Sequence, residues 1–333
     1  MVQRVTITDV ARVAGVSVST VSKVINSRDG VAQDTYTRVN QVIDELGYEG
    51  SLVARSLRSH HTGVIGLLVN EFEPFSTEIL KGAAAAALAD SDYDVLAYTG
   101  GRRSGGEGWE RRYLTRLSGT LIDGAVLVTP TVVDAEAIVP VVAIDPHAGP
   151  LGYPTVDSDN FTGGVLATRY LIELGHRRIG FIAGRADLES ARLRESGYRK
   201  ALADAGIPVD ETLVRVGAYQ RESAHIPATE LLAMPDRPTA IFASNDLSAI
   251  GTLDIARRMG LTVPDDLSVV GFDDIPESVL SMPPLTTIHQ PIQEMGASAI
   301  RLLLSLLREA PVGSTHVCLP VSLVRRGSCA APR

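Results

Sequence analysis

Two sets of residues in this chain are of types that bind other molecules. The first lies in residues 6–26, TITDVARVAGVSVSTVSKVIN. Val10, Ala11 and Ala14 recur at the i, i+3, i+4 spacing of one helical face. Gly15 stands where a helix ends in a left-handed residue. Val16 follows as a buried turn residue, and Ser17 is placed to cap a second helix. In that helix Val21, Val24 and Ile25 are expected to face inward. Val18, Ser19, Ser22, Lys23 and Asn26 then share the opposite side. This side is small, hydroxyl- and amide-bearing, with one cation, and a helix of that kind can press into a nucleic-acid groove. An ordinary helical hairpin with a polar outside is the competing reading.

The second set follows the carboxyl ends of short apolar runs. Asp145 follows VVAI, Ser244-Asn245-Asp246 follow AIFA, and Asp273-Asp274 follow SVVGF. Asn70, Glu71, Phe72 and Phe75 follow VIGLLV, and Arg192 and Arg194 lie beyond IGFIA. In doubly wound sheets ligands bind beyond the carboxyl ends of the strands. Carboxylates and amides placed there can take paired hydrogen bonds from sugar hydroxyls, and a ring can cover a sugar's apolar face. Against this, the aspartates are also natural helix caps, Arg192 suits a surface, and Phe75 suits a core. Asp273 and Asp274, as neighbours on extended backbone, point to opposite sides and make a poor acid/base pair. His289 reads as a polar linker residue. Enzyme signatures are absent: GGRRSGGEG lacks the phosphate-loop spacing, and no HExxH, Cys/His or GxSxG pattern occurs. No catalytic residue, metal or cofactor is expected.

The elements that must position these groups are legible as a pattern. A third helix is expected over residues 33–46, closing a compact helical head. Residues 51–58, SLVARSLR, read either as a linker that happens to contain apolar residues or as a helix too short to persist alone in water. Val53 and Leu57 stand exposed on its face, so it is expected to fold only when covered. From Val64 strands and helices alternate. Strands are expected at Val64–Val69, Asp94–Thr99, Gly124–Val128, Val141–Ile144, Ile179–Ala183, 213–217, Ala240–Ala243 and 268–272, and one at 317–326. Helices are expected at 76–89, 108–117, 163–174, 193–205, 223–233 and 247–259. The strands are β-branched runs without alternation, as buried parallel strands are. Eight strands and their helices suit two doubly wound subdomains better than one. The chain of 333 residues is 45% apolar and carries a net charge of −8. Its first sixty residues are nearly neutral, so charge alone does not mark a nucleic-acid binder. The two cysteines, Cys318 and Cys329, offer no disulfide framework, no apolar run nears the roughly 18 residues of a membrane span, and no leader is visible. A cytoplasmic location is expected.

On these stretches the chain resembles, essentially end to end, the lactose-repressor-like (LacI/GalR) family of bacterial transcription regulators. TITDVARVAGVSVSTVSKVIN looks like the family's DNA-reading head and VARSLR like its hinge helix. FASNDLSAIG, VPDDLSVVGFDD and PPLTTIHQP look like its core signatures. The resemblance implies an N-terminal all-α helix-turn-helix head (residues 1–49) and a hinge (50–62). It implies an α/β core (63–333) of two doubly wound parallel-sheet subdomains, similar to periplasmic sugar-binding proteins. The subdomains would span about 63–160 with 290–317 and about 161–289 with 318–333. Carried over by position, Val18, Ser19 and Lys23 would read base edges, and Ser17, Thr20, Ser22 and Asn26 would hold phosphates. Leu57 would wedge into the minor groove, with Arg58 also at the DNA. Glu71, Asp145, Arg194, Asn245 and Asp273 would contact the effector, with Phe75 and Tyr219 stacking on it. The implied protein is a homodimeric repressor that double-stranded operator DNA and a small sugar-type effector bind in competition. A purine-like corepressor is the alternative, and a free solute-binding protein or a nucleotide-using enzyme are further ones. The chain departs from the family pattern at Glu49-Gly50-Ser51, Ala32 and Tyr36, which bears on operator affinity more than on fold.

Overall fold

The computed structural model describes residues 5–25, 29–48, 61–99, 108–131, 137–149, 152–311 and 313–333. Its first compact unit is the head. Helix α1 (Ile7–Ala14) starts where Thr6 Oγ1 accepts from Asp9 N and the Asp9 carboxylate accepts from Thr6 N. This reciprocal cap satisfies two donors that the first turn would otherwise leave open. Gly15, at φ 67°, ends it. Helix α2 (Val18–Ile25) begins under Ser17, whose Oγ accepts from Thr20 N at 3.1 Å. Helix α3 (Gln33–Leu46) has no side-chain cap at Ala32 and stops at left-handed Gly47. Val10, Ala11, Ala14, Val21, Val24, Val39 and Val42 form the head's core. Two expectations need correction. Ile25 is 37% exposed rather than inward, and Val16 is only half-buried. A helix of eight residues presents little inner face, and Val21 and Val24 fill it, leaving Ile25 at the rim.

The second unit contains two six-stranded sheets. The first comprises β1 (Val64–Val69), β2 (Asp94–Thr99), β3 (Gly124–Val128), β4 (Val141–Ile144), β5 (Thr155–Ser158) and β11 (His316–Leu319). Its strand order is β11-β5-β4-β3-β1-β2. The second comprises β6 (Ile179–Ala183), β7 (Val214–Val216), β8 (Ala240–Ala243), β9 (Ser268–Asp273), β10 (Thr286–His289) and β12 (Ser322–Val324), in the order β12-β10-β9-β8-β6-β7. All pairs are parallel except β10 with β12. Each sheet reverses direction of growth once, between β1 and β3 and between β6 and β8, and that switch opens a crevice at the strand ends.

Helices cover the sheets. Helix α4 (Pro74–Asp90), helix α5 (Trp109–Leu117) and helix α11 (Ile292–Leu307) belong with the first sheet. Helices α4 and α11 approach so closely that a Cβ on Gly82 would stand 1.8 Å from Gln293 O. In the alanine tract of α4, Ala83, Ala86 and Ala87 are buried while Ala84 and Ala85 are exposed. Helices α6 (Asn160–Glu173), α7 (Glu189–Asp204), α8 (His225–Leu232), α9 (Asp246–Arg258) and α10 (Pro276–Leu280) accompany the second sheet.

The chain passes between the sheets after β5, after β10 and after β11. The last passage corrects the sequence reading twice. Residues 317–326 are not one strand, and the boundary falls beyond Leu319 rather than between residues 317 and 318. Cys318 and Leu319 pair with Asp157 and Ser158 in the first sheet, whereas Ser322 pairs with His289 in the second. Pro320 stands between them, with no N–H to continue a ladder. His289, expected in a linker, is the last residue of β10, and its Nδ1 lies 3.0 Å from Asp274 Oδ2. Residues 51–58 of the expected hinge helix lie outside the described residues.

Candidate functional site

The carboxyl ends of β1, β4, β6, β8 and β9 border a cleft of about 690 Å3. All seven residues expected at an effector site line it: Glu71, Phe75, Asp145, Arg194, Tyr219, Asn245 and Asp273. At its centre is Arg194, on α7 and 3% exposed. Its Nε donates to Asn160 Oδ1 (2.8 Å), and its Nη1 donates to Ser244 O (2.6 Å) and to Asp273 Oδ1 (3.2 Å). The guanidinium lies 3.7 Å from the Phe272 ring centroid. A buried cation needs this many acceptors to offset its lost hydration. Gln290 Nε2 donates to the same Asp273 oxygen at 2.7 Å, and Gln290 Oε1 accepts from Ser158 Oγ at 2.6 Å.

Burial raises the pKa of Asp273, against the pull of Arg194. Burial likewise raises Asp145, with Arg194 again pulling down. The centre therefore holds two carboxyls that are reluctant anions around one obligate cation. Asn245 caps α9, its Oδ1 accepting from Ser248 N (3.0 Å), and its Nδ2 donates to Tyr219 O (2.9 Å). It thus holds the backbone of the cleft's tyrosine. The Tyr219 ring lies against Gly184, where a Cβ would stand 2.2 Å from Tyr219 Cζ, and burial pushes the phenol up to about 12. Phe75 enters from the first turn of α4, its N–H held by Glu73 Oε2 at 3.0 Å. Glu71 is an exposed rim residue.

Left-handed backbone concentrates here. Thr129, Asp145, Ala218, Tyr219 and Asp273 all line the cleft with φ between 47° and 114°. Such geometry costs roughly 1–3 kcal/mol per residue and persists only where packing and hydrogen bonds impose it. Here it turns side chains from the strand ends into the crevice.

The other strand-end candidates have different roles. Asp246 is buried, accepts from Thr287 Oγ1 (2.5 Å) and Ile275 N (3.0 Å), and does not line the cleft. Asp274 turns away to Arg326 and His289. Phe72 is exposed and stays out of the lining. Sequence reasoning missed Trp109, His147, Arg185, Asp187, Ser190 and Gln290, all but Gln290 cleft-lining, and missed Asn160 beneath Arg194. Gln290 stood within a quoted motif, but the strand that presents it was not foreseen.

On the head, Val18 is 41% exposed and Ser17, Ser19 and Lys23 are exposed, while Thr20 and Ser22 are half-buried. Ser17 Oγ lies 2.7 Å from Ser19 Oγ and 2.9 Å from Thr20 Oγ1, so three hydroxyls gather at the start of α2. Lys23 Nζ rests near Gly30, 3.6 Å from where a Cβ would be. Asn26, Leu57 and Arg58 lie outside the described residues. Among the described residues no His, Cys, Asp or Glu cluster could hold a metal, and no helix is long and apolar enough to cross a membrane.

A model of bacterial regulatory proteins of the lacI family matches residues 6–51, and a periplasmic binding protein-like domain model matches residues 168–329. The chain is 38% identical over 316 residues to the HTH-type transcriptional repressor PurR of Photobacterium profundum, covering 91% of this chain and 92% of that one. It is 36% identical over 312 residues to PurR of Vibrio atlanticus, with the same coverage. Among solved structures, the transcriptional regulator CelR–cellobiose complex superposes with a TM-score of 0.72 at 36% identity, covering 98% of this chain and 100% of that one. The lac repressor dimer bound to operator and the anti-inducer ONPF superposes with a TM-score of 0.85 at 29% identity, covering 99% and 100%.

Proposed function

The chain belongs to the lacI family of bacterial regulatory proteins, DNA-binding repressors governed by a small molecule, and we propose that its small molecule is a neutral saccharide held in the cleft. One observation carries this reading. Each arginine lining the described cleft is already paired with a carboxylate: Arg185 with Asp187 (2.6 Å), Arg192 with Glu189 (2.5 Å) and Arg194 with Asp273 (3.2 Å). A phosphate or carboxylate ligand would have to break one of these pairs to find a counter-charge. Saccharide hydroxyls need none, since they donate to Asp145, Asp273 and Glu71 and accept from the remaining N–H of Arg194. Phe75 and Tyr219 supply faces for the ring's C–H groups. The CelR neighbour was solved with cellobiose, which suits this reading.

In this account Val18, Ser19 and Lys23 read base edges, while Ser17, Thr20, Ser22 and Asn26 hold phosphates. Leu57 and Arg58 engage the minor groove from a hinge that folds on DNA. Two copies read a pseudo-palindrome. Saccharide and operator then oppose one another, each weakening the other by the same factor. The purine reading is favoured by the PurR relatives alone.

Thermal shift against neutral mono- and disaccharides, their phosphates and free purine bases, followed by fluorescence anisotropy on operator DNA, decides between them. A neutral saccharide is expected to raise the midpoint and release DNA. Stabilisation by a purine base with tighter DNA binding would establish the corepressor reading. Stabilisation by sugar phosphates would refute the argument from paired arginines.

A further inference from the structure

Two segments meet across the mouth of the cleft. One, residues 145–149, follows β4 of the first sheet, and the other, residues 185–192, follows β6 of the second. Glu189 N donates to His147 O at 2.9 Å. Arg192 Nη2 donates to the same carbonyl at 3.3 Å, while its Nη1 donates to Ala186 O (2.9 Å) and its Nε to Glu189 Oε2 (2.9 Å). His147 Nδ1 lies 3.3 Å from Asp187 Oδ2, and Arg185 fixes Asp187 from the other side. The Glu189 side chain lies beside Gly149, with Cγ 3.6 Å from where a Cβ would be. His147 is buried by this arrangement although it lies on a loop.

Away from the mouth the two sheets are joined by chain passages after β5, β10 and β11 and by Ile275 and Leu247, which pack against the first sheet's core. Those passages allow rotation, whereas hydrogen bonds at the mouth forbid it while they last. They are also the kind that can open, since Arg192 is half-exposed and each bond is replaceable by water. Arg192 matters most because its guanidinium joins acceptors from both segments in one plane, a geometry lysine lacks.

We propose that the two segments form a clasp that shuts the cleft over its ligand, and that Arg192 is the positioning residue that keeps it shut. The clasp rests on the cleft being the effector site, but it exists in the ligand-free chain and is testable there. It sets the rate at which ligand leaves rather than the identity of the ligand.

The test uses the full-length protein and Arg192→Ala, with Arg192→Lys and Asp187→Asn as companions. Hydrogen exchange on the ligand-free protein should show faster exchange of the Glu189 amide in Arg192→Ala, with the amides of β6 unchanged. Stopped-flow fluorescence of Trp109, the chain's single tryptophan and part of the lining, then reads cellobiose as the probe. Dissociation should speed by about tenfold, the worth of one partly exposed hydrogen bond. Arg192→Lys should fall between, and operator binding without ligand should not change. Unchanged exchange at Glu189 in Arg192→Ala would overturn the clasp. Faster exchange with an unaltered dissociation rate would overturn its gating role. If the wild-type chain binds no saccharide, the saccharide reading fails, and the exchange measurement still decides whether the clasp stands.

Discussion

Replacing Arg194 by methionine separates a ligand contact from a keystone of the fold. The guanidinium ties α7 to Asn160, to the end of β8 at Ser244 O, and to the end of β9 at Asp273. Methionine fills much of the volume and keeps contact with the Phe272 ring. What is lost is the charge and three hydrogen bonds at a fully buried site. Breaking a buried pair on one side costs about 3–5 kcal/mol, chiefly because the partner charge is stranded. Here the partner is Asp273, whose pKa burial already raises. It can take a proton, and Gln290 Nε2 still donates to it. The cost near pH 7 should therefore fall at the lower end, about 3 kcal/mol. The sign with pH follows. A folded-state pKa above the unfolded one means that the folded state holds the extra proton, so stability falls as pH rises through that window. Removing Arg194 raises the folded pKa further and extends the window upward. The penalty of Arg194→Met should then grow with pH by about 1.4 kcal/mol per unit until the folded carboxyl ionises. Urea unfolding followed by circular dichroism at pH 6 to 9 measures this. Adding Asp273→Asn should abolish the pH-dependent part. A penalty below about 1 kcal/mol, or one flat in pH with Asp273 intact, would mean that Arg194 does not hold Asp273 as its buried partner.

Three further outcomes are expected. Gly184→Ala must displace the Tyr219 ring, since its Cβ would stand 2.2 Å from Cζ. Calorimetry with the saccharide found by thermal shift should show affinity lower by about tenfold at unchanged secondary structure. His176 is buried, with Nδ1 at 2.8 Å from Thr239 Oγ1 and Nε2 at 2.9 Å from Ala330 O. The carbonyl can only accept, so Nε2 carries a proton. Burial lowers its pKa below 6.5, so the unfolded chain protonates first and stability should fall as pH drops below that value. In His176→Gln this acid slope of the melting temperature should shrink even though the baseline is lower. Leu57→Ala should reduce affinity for a specific operator far more than for random DNA, because a wedge between base steps matters only where the duplex is bent to receive it. Equal losses on both in an anisotropy titration would sink the wedge.

The parts of the cleft that were legible in the sequence share a cause. Asp145, Asn245 and Asp273 each interrupt an apolar strand run, and a polar residue that ends such a run sits at the crevice once the strands are parallel. Strands β5 and β10 were missed because they are polar yet buried. Ser158 Oγ is satisfied by Gln290, Thr287 Oγ1 by Asp246, and Thr286 N by Ser328 Oγ. Apolar content cannot announce a strand whose buried polar groups find their partners in other parts of the fold, and with β10 went Gln290. Helix α11 differs: Ile292, Met295, Ala299, Ile300 and Leu303 carry a helical stripe in the sequence itself. The clasp was not within reach at all. Its central acceptors are the carbonyls of His147 and Ala186, and a carbonyl stands at every position of the chain. Arg192 looked like a surface residue because by exposure it is one. Which carbonyl a guanidinium finds is settled only when two loops distant in sequence are brought edge to edge. Residues that bind through side-chain chemistry can thus be read from a sequence, while residues that hold the binding site closed through backbone acceptors emerge only with the fold.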